Sequence, residues 1–482
     1  MKRPVTSLIL SALLLHGCTV GPNYKRPVAA VPDSYRGLTP EQLAKGEAAS
    51  LGDEMWWEVF KDTQLQSLIR TAVENNYDVR IASTRILQAQ ARYGITRADQ
   101  FPTVTGGGSS SAQQIPRQKG VPEHDSNATS LNIAGSWEID FWGKFRRATE
   151  SSRAQILSSE WGKRAVLNTL VSDVAAAYFQ LLEFDLELQI SKTALQSRNE
   201  SLRLANILSK GGATSLLDVR QSEQLVYNAA ALIPSTEQRI EQQENYLNFL
   251  LGQNPGPIQR GLLLTEQYRP PAIPAGLPST LLERRPDILS AEQQLISANA
   301  QIGVARSYYY PQISLTGSGG FQSSALSSLL TTPAGFWSFG GDLVQPIFNA
   351  GRIRSNVKLT EAEQQEALLT YKKTILESFR EVSDSLIAYR KTREVREEQE
   401  LLTDSARDAL RLSNLRYEGG ATSYLEVLDS DTRYLNAQLG LAQARLSELL
   451  SLVQIYQTLG GGWQDAGTKT PVQTSNISPK TN

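Results

Sequence analysis

Gly211-Gly212-Ala213-Thr214-Ser215 and Gly419-Gly420-Ala421-Thr422-Ser423 are the same five residues met twice in one chain. Leu202-Arg203-Leu204-Ala205-Asn206 precedes the first copy and Leu410-Arg411-Leu412-Ser413-Asn414 the second, so the match is an internal duplication. A glycine pair ends a helix through the left-handed conformation. Ser followed three residues later by an acid then starts the next helix as a capping box, here Ser215 to Asp218 and Ser423 to Glu426. Each copy is predicted to be the tip of a helical hairpin.

The totals exclude several classes of function. Among 482 residues the formal net charge is −1, which removes the basic face that nucleic acid requires. Histidine occurs only at His16 and His124 and cysteine only at Cys18. That is too little for a His/Cys metal site or a His-activated nucleophile, so no enzyme, cofactor or metal is expected.

At the amino terminus, Lys2 and Arg3 precede an apolar run from Val5 to Leu15 and then Leu15-His16-Gly17-Cys18. These are the parts of a secretory signal, too short for a permanent membrane helix. The one cysteine stands where a lipoprotein signal places its acylated residue, so residues 1–17 are predicted to be removed and Cys18 to carry lipid, palmitate included. His16 departs from the small or aliphatic residue usual there. Thr19 follows the cysteine where the lipoprotein pattern places Asp for retention in the inner membrane, so the outer membrane is the expected address.

The region from residue 19 to 50 is rich in Pro, Gly and Ala, and Trp56, Trp57 and Phe60 form an aromatic cluster able to dock it. Leu65 to Gln100 lacks proline and is predicted as one helix. After Phe101-Pro102 the composition turns to Gly, Ser and Thr. Residues 129–141 and 311–321 alternate apolar and small polar positions, and 336–348 does so less regularly. These are strands with one apolar and one polar face, with Trp137, Phe141, Trp142, Trp337 and Phe348 near their ends, as in the girdles of a membrane barrel. Lys144 to Ser209 and Arg352 to Tyr417 contain no proline, and each spans about 100 Å as a helix. The first carries a heptad seam from Leu167 to Leu202.

Shorter helices are expected at Leu216–Leu251, kinked by Pro234, at Tyr424–Leu459, and from Ser279 to Tyr309. Stacking Leu216–Leu251 on Ser279–Tyr309, and Tyr424–Leu459 on Leu65–Gln100, matches the length of one long helix in each case. Four strands cannot close a barrel, and open edges in lipid would strand backbone groups. Three copies supply twelve strands and a lumen. The fold expected is therefore an α+β membrane protein, a trimeric twelve-stranded β-barrel continuous with a long periplasmic α-helical barrel, with two repeats per chain. Its divisions are 1–17 signal, 18–64 lipid-anchored linker and belt, 65–251 repeat one, 252–278 equatorial linker, 279–459 repeat two and 460–482 equatorial segment with a polar tail.

Several stretches resemble one family. Leu282-Glu283-Arg284-Arg285-Pro286-Asp287-Ile288, Ala300 to Leu315, Pro346-Ile347-Phe348, Ser423 to Asp429, Leu459-Gly460-Gly461-Gly462-Trp463, Cys18 to Tyr24 and Glu138 to Gly143 are similar to the lipoprotein (NodT-type) branch of the TolC-like outer membrane factors. The resemblance covers nearly the whole chain. It implies a homotrimeric exit duct joining a periplasmic adaptor (membrane fusion) protein and an inner-membrane pump, and expelling drugs, metal ions or other small molecules. Rival architectures are the outer component of a protein secretion system and a lipoprotein coiled-coil adaptor, though the latter has no use for four alternating strands.

The resemblance also assigns sites. Glu426 and Asp429, three apart, share a helix face. Both can be explained as acids favoured in a first helical turn. By resemblance they line the periplasmic gate, with Leu425 beside them. The tips Gly211, Gly212, Ala213, Gly419, Gly420 and Ala421 are the adaptor-contacting points that it implies.

Overall fold

The computed structural model describes residues 19–38, 50–116, 120, 124–270 and 273–463. The signal, Cys18, part of the linker and the tail from 464 lie outside the described residues. Among the described residues, eight helices of seven residues or more and four strands follow in order: α1 Thr63–Asn75, α2 Tyr77–Ala98, β1 Thr103–Ile115, β2 His124–Glu138, α3 Lys144–Lys210, α4 Leu216–Leu250, α5 Pro278–Arg284, α6 Pro286–Ser307, β3 Gln312–Ser323, β4 Gly335–Val344, α7 Arg352–Glu418 and α8 Tyr424–Thr458.

The chain forms two compact units. The first holds the sheet and the helix segments that flank it. Its strands are antiparallel in the order β1-β2-β3-β4. Hydroxyls pair across the ladder, Ser109 with Ser130 at 2.9 Å and Ser318 with Ser338 at 2.7 Å. The outer edges of β1 and β4 have no partner strand among the described residues, and Ile133, Trp337 and Phe339 are exposed. The helices of this unit repeat the strand order. Ser152 on α3 donates to Thr96 on α2 at 3.2 Å, Ser151 on α3 pairs with Ser297 on α6 at 2.8 Å, and Arg306 on α6 meets Glu361 on α7 at 2.7 Å. Small Ser side chains at the α3–α6 seam allow this close approach.

The second unit contains the hairpin tips and the irregular segments, and its apolar centre includes Tyr178, Leu247, Ile288 and Tyr456. Phe60 is buried and stands edge-on to Phe179 at 6.2 Å and to Tyr456 at 5.8 Å, so the aromatic linker docks here.

Two helix expectations are corrected in this unit. The helix foreseen from Leu65 to Gln100 breaks at Asn76, whose Oδ1 accepts from the backbone of Asp78 at 2.8 Å and of Val79 at 3.2 Å. An Asn side chain that caps its own following turn stops a helix without proline. The helix foreseen from Ser279 to Tyr309 begins at Pro278 and breaks at Arg285, because the residue before Pro286 is disfavoured in the helical region. Pro234 lies inside α4, which runs as one helix from Leu216 to Leu250.

The stacking partners are also exchanged. Asn76 Nδ2 donates to the Leu250 carbonyl at 2.9 Å, and a Cβ on Gly252 would come within 2.6 Å of Asn75 O. The end of α4 therefore abuts the α1–α2 break of its own repeat. In the second repeat, Arg285 Nη1 donates to Thr458 O at 3.2 Å, so α8 ends against the α5–α6 break. Length alone could not separate the two pairings, since both sums are alike.

Candidate functional site

The tips are built by backbone chemistry. Ala213 N donates to Leu208 O at 2.9 Å and Ala421 N to Arg416 O at 2.8 Å, six-to-one bonds that close the ends of α3 and α7. Gly212 at φ +77 and Gly420 at φ +68 occupy the left-handed position that this closure needs. Around the first tip the expected capping box forms, with Ser215 Oγ accepting from Asp218 N at 3.3 Å. The Thr214 hydroxyl also donates to the Asp218 carboxylate and holds it below the usual carboxylate range.

At the second tip the expected box is absent. Ser423 makes no side-chain cap; the Thr422 hydroxyl donates to Glu426 instead, and Arg416 lies 3.3 Å from the same carboxylate. Both copies thus use the Thr of Ala-Thr-Ser to hold the acid, a signal present in the duplicated pentapeptide. Tyr424, Val427 and Leu428 turn inward as a buried cluster against Leu225, Leu410 and Tyr417. Leu425, 60% exposed, and Asp429 fall on the opposite face of α8. Asp429 is met by Arg433 one turn on at 2.7 Å, and that pairing raises the Arg433 guanidinium.

Sequence reasoning missed the charge that ties the tip to its neighbours. Arg198 on α3 is buried, pairs with Asp431 on α8 at 2.7 Å and donates to Leu225 O on α4 at 2.9 Å. The Tyr424 hydroxyl accepts from Ser222 at 3.1 Å beside it. These partners come from different repeats, so no local spacing reveals them.

In the first unit, the described chain begins against the end of β2. Val20 N donates to Trp142 O at 3.0 Å, and a Cβ on Gly143 would fall 2.9 Å from the Thr19 side chain. Trp142 stacks on Tyr310 at 4.6 Å. From there residues 19–26 form a strap along α3 and α6. Arg147 Nη2 donates to Asn23 Oδ1 at 2.7 Å, Asn299 Nδ2 to Pro22 O at 2.9 Å, and Tyr24 OH to Glu292 Oε1 at 3.0 Å. A Cβ on Gly303 would meet Val20 O at 2.7 Å, which fixes glycine where the strap crosses α6.

The profile of the outer membrane efflux protein family matches residues 68–253 and 277–461. The chain belongs to that family. It is 34% identical over 487 residues to the probable efflux pump outer membrane protein TtgC of Pseudomonas putida, with all of both chains covered. To the cation efflux system protein CusC of Escherichia coli O157:H7 it is 33% identical, over 94% of this chain and 97% of that one. Among solved structures, the MtrE outer membrane channel of Neisseria gonorrhoeae aligns with a TM-score of 0.84 at 28% identity, covering 93% of this chain and 99% of that one.

As an outer membrane efflux protein, the chain is the outer membrane channel component of an efflux system. Its four-stranded open sheet and long helices match the trimeric TolC-like channels, in which the barrel closes only between copies. Among the described residues no group of three or more His, Cys, Asp or Glu side chains could hold a metal ion.

Proposed function

We propose that the protein is the lipid-anchored exit duct of a tripartite efflux pump, of the lipoprotein branch of its family. In this reading three copies form twelve strands across the outer membrane, and the helical tips engage a periplasmic adaptor joined to an inner-membrane pump. Small molecules such as drugs or metal ions pass through passively. The relatives TtgC and CusC, named for an efflux pump and a cation efflux system, support the cargo class.

The observation that carries the reading is the matched order of strands and helices in the first unit. Both ends of the series are incomplete: β1 and β4 have open edges, Leu87 on α2 is 63% exposed, and Leu359 and Leu369 on α7 are exposed. A cyclic trimer joins the first element of one copy to the last of the next. Lipidation at Cys18 is supported by the strap, which brings Thr19 against Trp142 at the end of the sheet, within one residue of an anchor at the lipid boundary.

The gate reading is retained for Asp429 first, then Glu426, with Leu425, all three pointing away from the buried cluster of the second tip. The tip residues Gly211, Gly212, Ala213, Gly419, Gly420 and Ala421 remain the proposed adaptor contacts. The divisions at 64, 251, 278 and 459 are kept as the proposed organisation. The test is native mass and conductance of the detergent-extracted protein. A trimer forming pores in planar bilayers is expected; a stable monomer without pore activity overturns the duct.

A further inference from the structure

A groove of about 710 Å³ lies in the first unit along α3, with α2 and α6 as its walls. Its floor is made of hydroxyls and amides already tied to one another: Gln301 Nε2 donates to Ser151 Oγ at 2.8 Å and Gln155 Nε2 to Ser297 Oγ at 2.9 Å. Ser151 and Ser297 are buried. The only charged groups lining it are the guanidiniums of Arg85 and Arg92, two turns apart on one face of α2. Neither has a carboxylate partner among the described residues. Among the described residues, no carboxylate lines the groove.

The strap shows which side of the duct wall this is. At 3.6 residues per turn, the α6 positions that meet the strap, Glu292, Asn299 and Gly303, lie on one side of the helix. Gln294, Ser297 and Gln301, which line the groove, lie on the other. A strap leading from a lipid anchor runs on the outside of the tube, which puts the groove on the lumen side. Three copies would then line one level of the lumen with six guanidiniums, none paired to a carboxylate within its own copy, over a floor of neutral donors.

We propose that this groove is a binding and selection site for organic anions within the lumen. The inference rests on the duct reading. Its volume suits a small organic molecule, and guanidiniums take carboxylate or sulfonate groups through paired N–H donors. A charged lumen wall also raises the local concentration of counter-ions.

The experiment measures reversal potential under a KCl gradient, and block of the current by fluorescein dianion, in planar bilayers. Wild type is compared with Arg85→Gln/Arg92→Gln and Arg85→Lys/Arg92→Lys, each verified as a trimer by native mass. The glutamine pair is expected to lower the chloride-to-potassium permeability ratio about twofold or more and to weaken fluorescein block, while the lysine pair, which keeps the charge but not the paired donors, holds the ratio near wild type and weakens block less than the glutamine pair does. A conducting wild type with selectivity and block equal to those of the glutamine pair overturns the anion site and leaves the duct standing. A trimeric wild type that conducts nothing overturns both.

Discussion

A methyl group added to Gly261 would fall 2.2 Å from Oδ1 of Asp62. Asp62 is buried and accepts from the backbone of Gln64 at 2.8 Å and Leu262 at 2.9 Å, from the Tyr178 hydroxyl at 3.1 Å and from Gln267 Nε2 at 2.9 Å. One carboxylate thus starts α1 and fixes the connector between the repeats against α3. Because its charge is fully hydrogen-bonded, burial is tolerated, but its position cannot shift without orphaning donors.

Gly261→Ala is therefore expected to destabilise the protein by about 2 kcal/mol through overpacking against this node. Thermal unfolding of detergent-extracted trimer checks it. A melting temperature equal to that of wild type would show that the connector yields freely.

At the second tip, Asp429→Ala removes a carboxylate already shared with Arg433. Higher conductance, or weaker block by divalent cations added on the periplasmic side, is expected in single-channel recordings. Arg433→Ala should act oppositely on block, since it frees Asp429 for the cation. If neither variant changes conductance or block in verified trimers, the acids of this turn serve the helix start alone.

Glu183 provides a pH test. It is fully buried, accepts from Gln180 Nε2 at 2.9 Å through one oxygen and leaves the other without a partner, and stands beside Glu187, itself bridged to Arg239. Burial first, and then the neighbouring Glu187 carboxylate through hydrogen bonding and charge, push its carboxyl up to about 8. A raised acid binds its proton more tightly folded than unfolded. Its stabilising contribution is present below the ordinary glutamate range and is lost as pH rises towards about 8. Glu183→Gln should flatten that loss and gain about 2 kcal/mol above it. Denaturation series at pH 5 and pH 8.5 decide the point; parallel losses in both proteins would refute it.

Lipidation is checked by metabolic labelling with a palmitate analogue. Wild type should incorporate it and Cys18→Ser should not, while much of the variant still reaches the outer membrane through its barrel. Equal labelling of both would exclude Cys18 as the acceptor.

Much of this architecture is readable because repetition and period survive in the residues. The pentapeptide pair locates both tips, and the alternation around Ile133 and Leu315 locates strands. What is hidden depends on partners distant in sequence. The break at Asn76 arises from a side chain that caps the next turn while its amide holds Leu250, and Arg198 finds Asp431 only after both hairpins fold. Arg433 was legible at one turn from Asp429. Arg85 and Arg92 stand one heptad apart in the sequence, but their lack of acids is a property of three packed helices.

The splice of Asn76 to Leu250, with its counterpart of Arg285 to Thr458, closes each repeat upon itself. The stretch from Gly252 to Leu277 then joins two halves that each carry their own splice and meet through side chains such as Arg198 and Asp431. A gene severed within that connector would therefore encode two halves, each retaining its own splice.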